Sequence, residues 1–135
     1  MQLIRMINIA STSTELTWSP EMRLAVVRYL PGANLSTADG DFLVKALMGW
    51  IGTDAGPFAV LADAAGLRGT DAGYRATAGR FFRQHRDSSF VALINLGPVI
   101  QVVVELFRVG TGIQLKTFAS ESAARSWLRT KGLAA

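Results

Sequence analysis

Apolar and polar residues follow one another along this chain in blocks whose spacing switches between strand-like and helical. "TELTW" (14–18) and "RLAVVRYL" (23–30) have strand composition, and "SPEM" between them puts proline second in a tight turn, so the pair predicts a hairpin. "PGANLS" breaks the pattern, and Ser36 with Asp39 three residues on has the signature of a capping box. Behind it Phe42, Leu43, Ala46, Leu47, Trp50 and Ile51 recur at helical spacing until "GTDAGP" stops the helix. "FAVLAD" (58–63), bounded by glycine and proline, reads as a buried strand.

A glycine-rich connector then leads into "DAGYRATAGRFFRQHR" (71–86). On a helical wheel Tyr74, Ala78, Phe81, Phe82 and His85 share an apolar arc, while Arg75, Arg80, Arg83 and Arg86 share the opposite side, which predicts an amphipathic helix. "SFVALINLG" (89–97) is the next buried strand. In "PVIQVVVELFRVGTG" (98–112) the valines favour a strand, yet Gln101, Glu105 and Arg108 are spaced four and then three, one stripe on a helix. Proline at the first turn and "GTG" at the end agree with a helix, expected to be buried on most sides. "IQLKTFA" (113–119) is a final strand, with Lys116 suited to an edge, and "SESAARSWLRTKG" (120–132) is a helix capped by Ser120 with Ala123, Ala124, Trp127 and Leu128 facing inward. The order ββαβαβαβα implies an α/β fold, a mixed sheet covered by helices, in a single domain over 1–135 with 1–13 as an N-terminal extension and 14–132 as its core.

Composition narrows the chemistry. At 135 residues and 50% hydrophobic content the chain has enough apolar material for one sizeable core. It has no cysteine and one histidine, His85, which excludes disulfides, a thiol nucleophile, and cysteine- or histidine-rich metal sites. No apolar stretch approaches the roughly 20 residues of a membrane span, and "MQLIRMINIASTST" is too weakly apolar for a secretory signal, so a cytoplasmic protein is expected. The net charge of +4 favours acidic partners mildly. Nucleic acid is a poor fit, because Phe81 and Phe82 lie on the apolar side of their helix and not among its arginines.

The ending "TFASESAARSWL", with Phe118, Ser120, Ala123, Ala124, Trp127 and Leu128, together with the element order over roughly 14–132, resembles the bacterial STAS-like proteins related to anti-sigma-factor antagonists, in particular the STAS/SEC14 subgroup. The resemblance implies a STAS-like fold and a non-catalytic regulatory module that binds a protein partner. In those antagonists a strand like "FAVLAD" leads to an Asp-Ser-Ser-Gly motif whose phosphorylated serine selects the partner. With Asp63 on the strand end and Asp71 on the motif's aspartate, Ala72, Gly73 and Tyr74 stand where Ser-Ser-Gly would be, so the resemblance implies a module without the usual phosphoacceptor.

The candidate partner-binding surface is the loop 64–73 with the start of the following helix: Arg68, Thr70, Asp71, Arg75 and Arg83. Gly66, Gly69 and Gly73 match neither phosphate-cradling glycine pattern; they permit turns, and Thr70 or Asp71 caps the helix. An alternative, suggested by the SEC14 side of the resemblance, is an apolar-ligand pocket between helices 42–51 and 98–109, with Phe42, Leu47, Trp50, Val103 and Phe107 as its wall. Packing in the core or against a second copy in a homodimer is the plainer use of those apolar faces. His85 reads as a partly buried helix-end histidine, no acid, base and nucleophile group together as an enzyme would need, and no cofactor or metal is implied.

Overall fold

In the computed structural model, which describes residues 6–133, the expected hairpin is β2 (Thr14–Ser19) with β3 (Leu24–Tyr29). The later elements follow the sequence reading closely: α1 (Thr37–Ile51), β5 (Phe58–Asp63), α2 (Ala72–Gln84), β7 (Ser89–Ile94), α3 (Pro98–Thr111), β8 (Gln114–Phe118) and α4 (Glu121–Arg129). Three short strands were not anticipated. β1 (Ile7–Ala10) pairs antiparallel with β2, so residues 7–10 of the expected N-terminal extension are part of the sheet. β4 (Ala33–Leu35) and β6 (Leu67–Thr70) form a separate parallel pair inside two segments read as loops.

The main sheet has the order β1-β2-β3-β5-β7-β8, antiparallel through its first three strands and parallel through the rest, with β8 at an edge as Lys116 suggested. The two-residue period of the strands sorts side chains to its faces. Ala25, Val27, Phe58, Val60, Ala62, Val91 and Leu93 point to the layer of α1, α2 and α3; Leu24, Val26, Ala59, Leu61, Ala92 and Ile94 pack with Ala124 and Leu128 of α4. Such strands, buried on both sides, explain the continuous apolar runs "FAVLAD" and "SFVALI".

The helix signals act as expected. The Asp39 carboxylate accepts the Ser36 backbone N–H at 2.8 Å and its hydroxyl at 3.0 Å; Ser120 accepts the Ala123 N–H at 3.1 Å. Pro98 opens α3, and Gly112, at φ 69°, closes it in the left-handed conformation that glycine adopts without strain. No helix among the described residues is long and apolar enough to cross a membrane.

Candidate functional site

The connector 60–75 is built, not loose. After β5 the chain crosses the end of β3, where the Gly66 carbonyl accepts the Gly32 and Ala33 N–H groups at 2.9 and 3.1 Å. β6 then pairs with β4, and the Asp71 N–H donates to the Leu35 carbonyl at 2.8 Å. Of the two candidate caps it is Asp71 that caps α2, its carboxylate accepting the Tyr74 N–H at 2.8 Å. The Arg75 guanidinium turns back onto Thr70, donating to its carbonyl at 2.6 Å and its hydroxyl at 2.9 Å. Thr70, Asp71 and Arg75 are thus gathered in one place, but much of their polar capacity is used to hold the turn. Arg68 is exposed on β6, and Arg83 is exposed further along α2.

Position 73 is closed to a side chain as it stands. A Cβ on Gly73 would lie 1.8 Å from the Thr37 hydroxyl oxygen and 3.1 Å from the Thr37 Cβ, so the starts of α1 and α2 touch here. A serine at 73 therefore requires Thr37 to turn away.

Asp39 ties a second hydroxyl cluster to this corner. Burial disfavours its charge, but hydrogen bonds from the Ser13 hydroxyl and from the amide and hydroxyl of Ser36 outweigh that and hold its pKa below the ordinary value. A carboxyl depressed in the folded state contributes stability above its unfolded pKa and loses it as pH falls through the folded one. Asp39→Asn is accordingly expected to melt below the wild type near neutral pH, with the difference shrinking toward about pH 3, the lower carboxylate range; a difference constant across that range would contradict the assignment.

α3 departs from expectation. Ile100 and Thr111 are buried and Val103, Val104 and Phe107 half-buried, while Val99, Val102, Leu106 and Val109 are 62–72% exposed. The apolar residues of α3 outnumber what one packed face can take, so they occupy both sides of the Gln101, Glu105 and Arg108 stripe. The exposed row, at positions i, i+3, i+7 and i+10, was readable once the helix was assigned; the expectation of burial on most sides hid it.

A cavity of about 100 Å³ lies between α2, α3 and the sheet. Val103 and Phe107 are in its wall as proposed for a pocket, but Phe42, Leu47 and Trp50 are not. The physical reason is layer order: α2 packs against both α1 and α3, and Leu43 is the α1 residue that reaches the wall. Leu47 is core, Phe42 packs against the core, and Trp50 stacks on Trp18 at 5.5 Å between ring centroids. Tyr29 and Tyr74, also in the wall, hydrogen-bond each other through their side chains; burial, above all, raises both pKa values, so both hydroxyls stay protonated. His85 ends α2 with its ring 4.5 Å from Phe81 and 5.8 Å from Phe58, a packing role.

No family model and no curated protein matches the chain. Solved structures do. A Shewanella loihica PV-4 protein of the DUF3478 family, described as having a SpoIIAA-like fold, superposes with a TM-score of 0.63 at 17% identity over 95% of this chain and 97% of its own. The anti-sigma factor antagonist SpoIIAA in its unphosphorylated form gives 0.59 at 16% identity over 93% and 98%. The murine anion transporter Slc26a9 gives 0.58 at 14% identity over 96% of this chain and 23% of the transporter. With its six-stranded mixed sheet and four helices in this order, the chain has the STAS-like fold of the anti-sigma factor antagonist SpoIIAA.

Proposed function

We propose that this chain is a non-catalytic regulatory module that binds a protein partner, and that it does so without a serine phosphoswitch. One observation carries the reading: the exposed row Val99, Val102, Leu106 and Val109 on α3, whose Leu106 shares a groove with Arg75 and Arg83 of α2. Large apolar side chains aligned in the open mark an interaction surface. Arg80, Arg83 and Arg86 are exposed as well, which favours a partner with an apolar stripe flanked by carboxylates and speeds its approach. The likeness to SpoIIAA, described as an anti-sigma factor antagonist, supports the same class. Arg68 and Asp71, both exposed, extend the surface toward the connector, with Thr70 and Arg75 shaping it from beneath. Ala72 and Gly73 after the capping aspartate supply no hydroxyl for a phosphate.

The test is affinity capture from the native host with matched variants and the oligomeric state followed by light scattering. Val102→Asp with Leu106→Asp is expected to abolish capture while leaving the fold intact, and Arg68→Glu to weaken it by a few fold, as charge changes at a rim do. Capture by the α3 double variant at wild-type level overturns the proposed surface. Self-association lost in that variant, with no other protein captured, makes the partner a second copy.

A further inference from the structure

Beyond protein binding, the space between α2 and α3 has a shape and charge of its own. On the surface a groove of about 440 Å³ runs between Arg75, Ala76, Gly79 and Arg83 on one side and Val103 with Leu106 on the other. Arg75, Val103 and Phe107 line both this groove and the 100 Å³ cavity beneath it, so the two spaces adjoin at those side chains. The inner space exists because Ala62, Ala64 and Ala78 leave room there that longer side chains would fill. Its polar groups are already engaged: Tyr29 with Tyr74, and the Thr70 hydroxyl with Arg75. Water entering it would find few partners, whereas an apolar tail would lose none.

The mouth has the opposite character. Arg75 uses one nitrogen, Nη1, on Thr70 and keeps its other N–H groups for a ligand. Arg83 is exposed, and among the described residues no carboxylate lies within ion-pair distance of either arginine. Two cations beside an apolar cleft, with an apolar cavity adjoining it at Val103 and Phe107, are complementary to an anionic head on a hydrocarbon tail.

We infer that groove and cavity form one binding site for a small amphiphile with an anionic head, a medium-chain carboxylate, with the head between Arg75 and Arg83 and the tail passing Val103 and Phe107 into the cavity. This needs no protein partner, so it stands or falls apart from the reading above. The test titrates octanoate, and octan-1-ol as its uncharged counterpart, into the purified chain, by calorimetry and by NMR of the methyl groups. Octanoate is expected to saturate with shifts at the inward methyls of Ile100, Val103 and Val104, and to bind about tenfold more tightly than octanol. Arg83→Glu should weaken octanoate by about tenfold and leave octanol unchanged, and Ala78→Leu should fill the cavity, raise the melting temperature and remove both. If Ala78→Leu does not fold, the Arg83 variant and the octanol comparison decide. The proposal is overturned if millimolar octanoate gives no saturable shift, if shifts are confined to the outward Val99, Val102 and Val109, or if octanol binds as well as octanoate.

Discussion

Phe58→Ala is expected to destabilise the fold by about 3–5 kcal/mol, the range for deleting a buried ring and leaving a cavity. Phe58 opens the central strand β5, is 1% exposed, and has its ring 6.2 Å from Phe81 and 5.8 Å from His85. Collapse into the space is hindered because β5 is paired on both edges and the strand start is fixed by its N–H donating to the Ser88 carbonyl at 2.9 Å. Against a typical total of about 5–15 kcal/mol this is a large fraction, and it should lower the melting temperature by roughly 10 °C or more. Phe58→Leu, which keeps most of the volume, should lose less than about half as much. Chemical denaturation with both variants checks the pair; a loss for alanine no greater than for leucine would show that Phe58 is not the packing centre described.

The second large effect concerns a backbone approach. A Cβ at Gly66 would lie 2.5 Å from the Tyr29 carbonyl oxygen and 3.0 Å from the Leu30 backbone, so alanine must lift the connector off the end of β3. Backbone cannot swing aside as a flexible side chain can, and about 2–3 kcal/mol of lost stability follows. The same shift would strain the Gly32 and Ala33 hydrogen bonds to the Gly66 carbonyl and displace the turn that holds Arg75 on Thr70. Gly49→Ala is the control: it lies inside α1 with nothing within 4 Å of its would-be Cβ, and should stabilise by about 0.5–1 kcal/mol. Thermal melts of the two alanine variants should move in opposite directions; equal behaviour would remove the case for close approach at Gly66.

The elements that announced themselves were those held by local chemistry. Ser36 with Asp39, Ser120, Pro98 and Gly112 act through neighbours a few residues away, so their roles could be read from spacing. "FAVLAD" and "SFVALI" were legible because burial on both faces leaves an uninterrupted apolar run. β4 and β6 were not, since "ANL" and "LRGT" have little strand propensity and pair only once the fold brings Ala33 beside Leu67. β1 is four residues with every side chain exposed, and the alternation of Ile7, Asn8 and Ile9 is too short to mark a strand by itself. In the connector the polar roles of Thr70, Asp71 and Arg75 were legible as residue types, yet only the folded chain shows Arg75 spent partly on Thr70. Gly66 and Gly73 read simply as turn glycines; the close contacts with Tyr29 and Thr37 are made by residues distant in sequence.

The register of the sheet also bears on how fast the molecule is made. Its hairpins close over short loops, Leu16 meeting Val27 and Ile9 meeting Leu16. The parallel core instead joins Leu24 to Ala59, Phe58 to Ser89 and Phe90 to Gln114, each across a whole helix. The chain entropy of those crossovers is lost before the buried faces of β5 and β7 meet to compensate. A newly synthesised chain therefore passes through a stage in which two of its most apolar strands are still waiting for partners, the stage most exposed to misassembly and to help from chaperones.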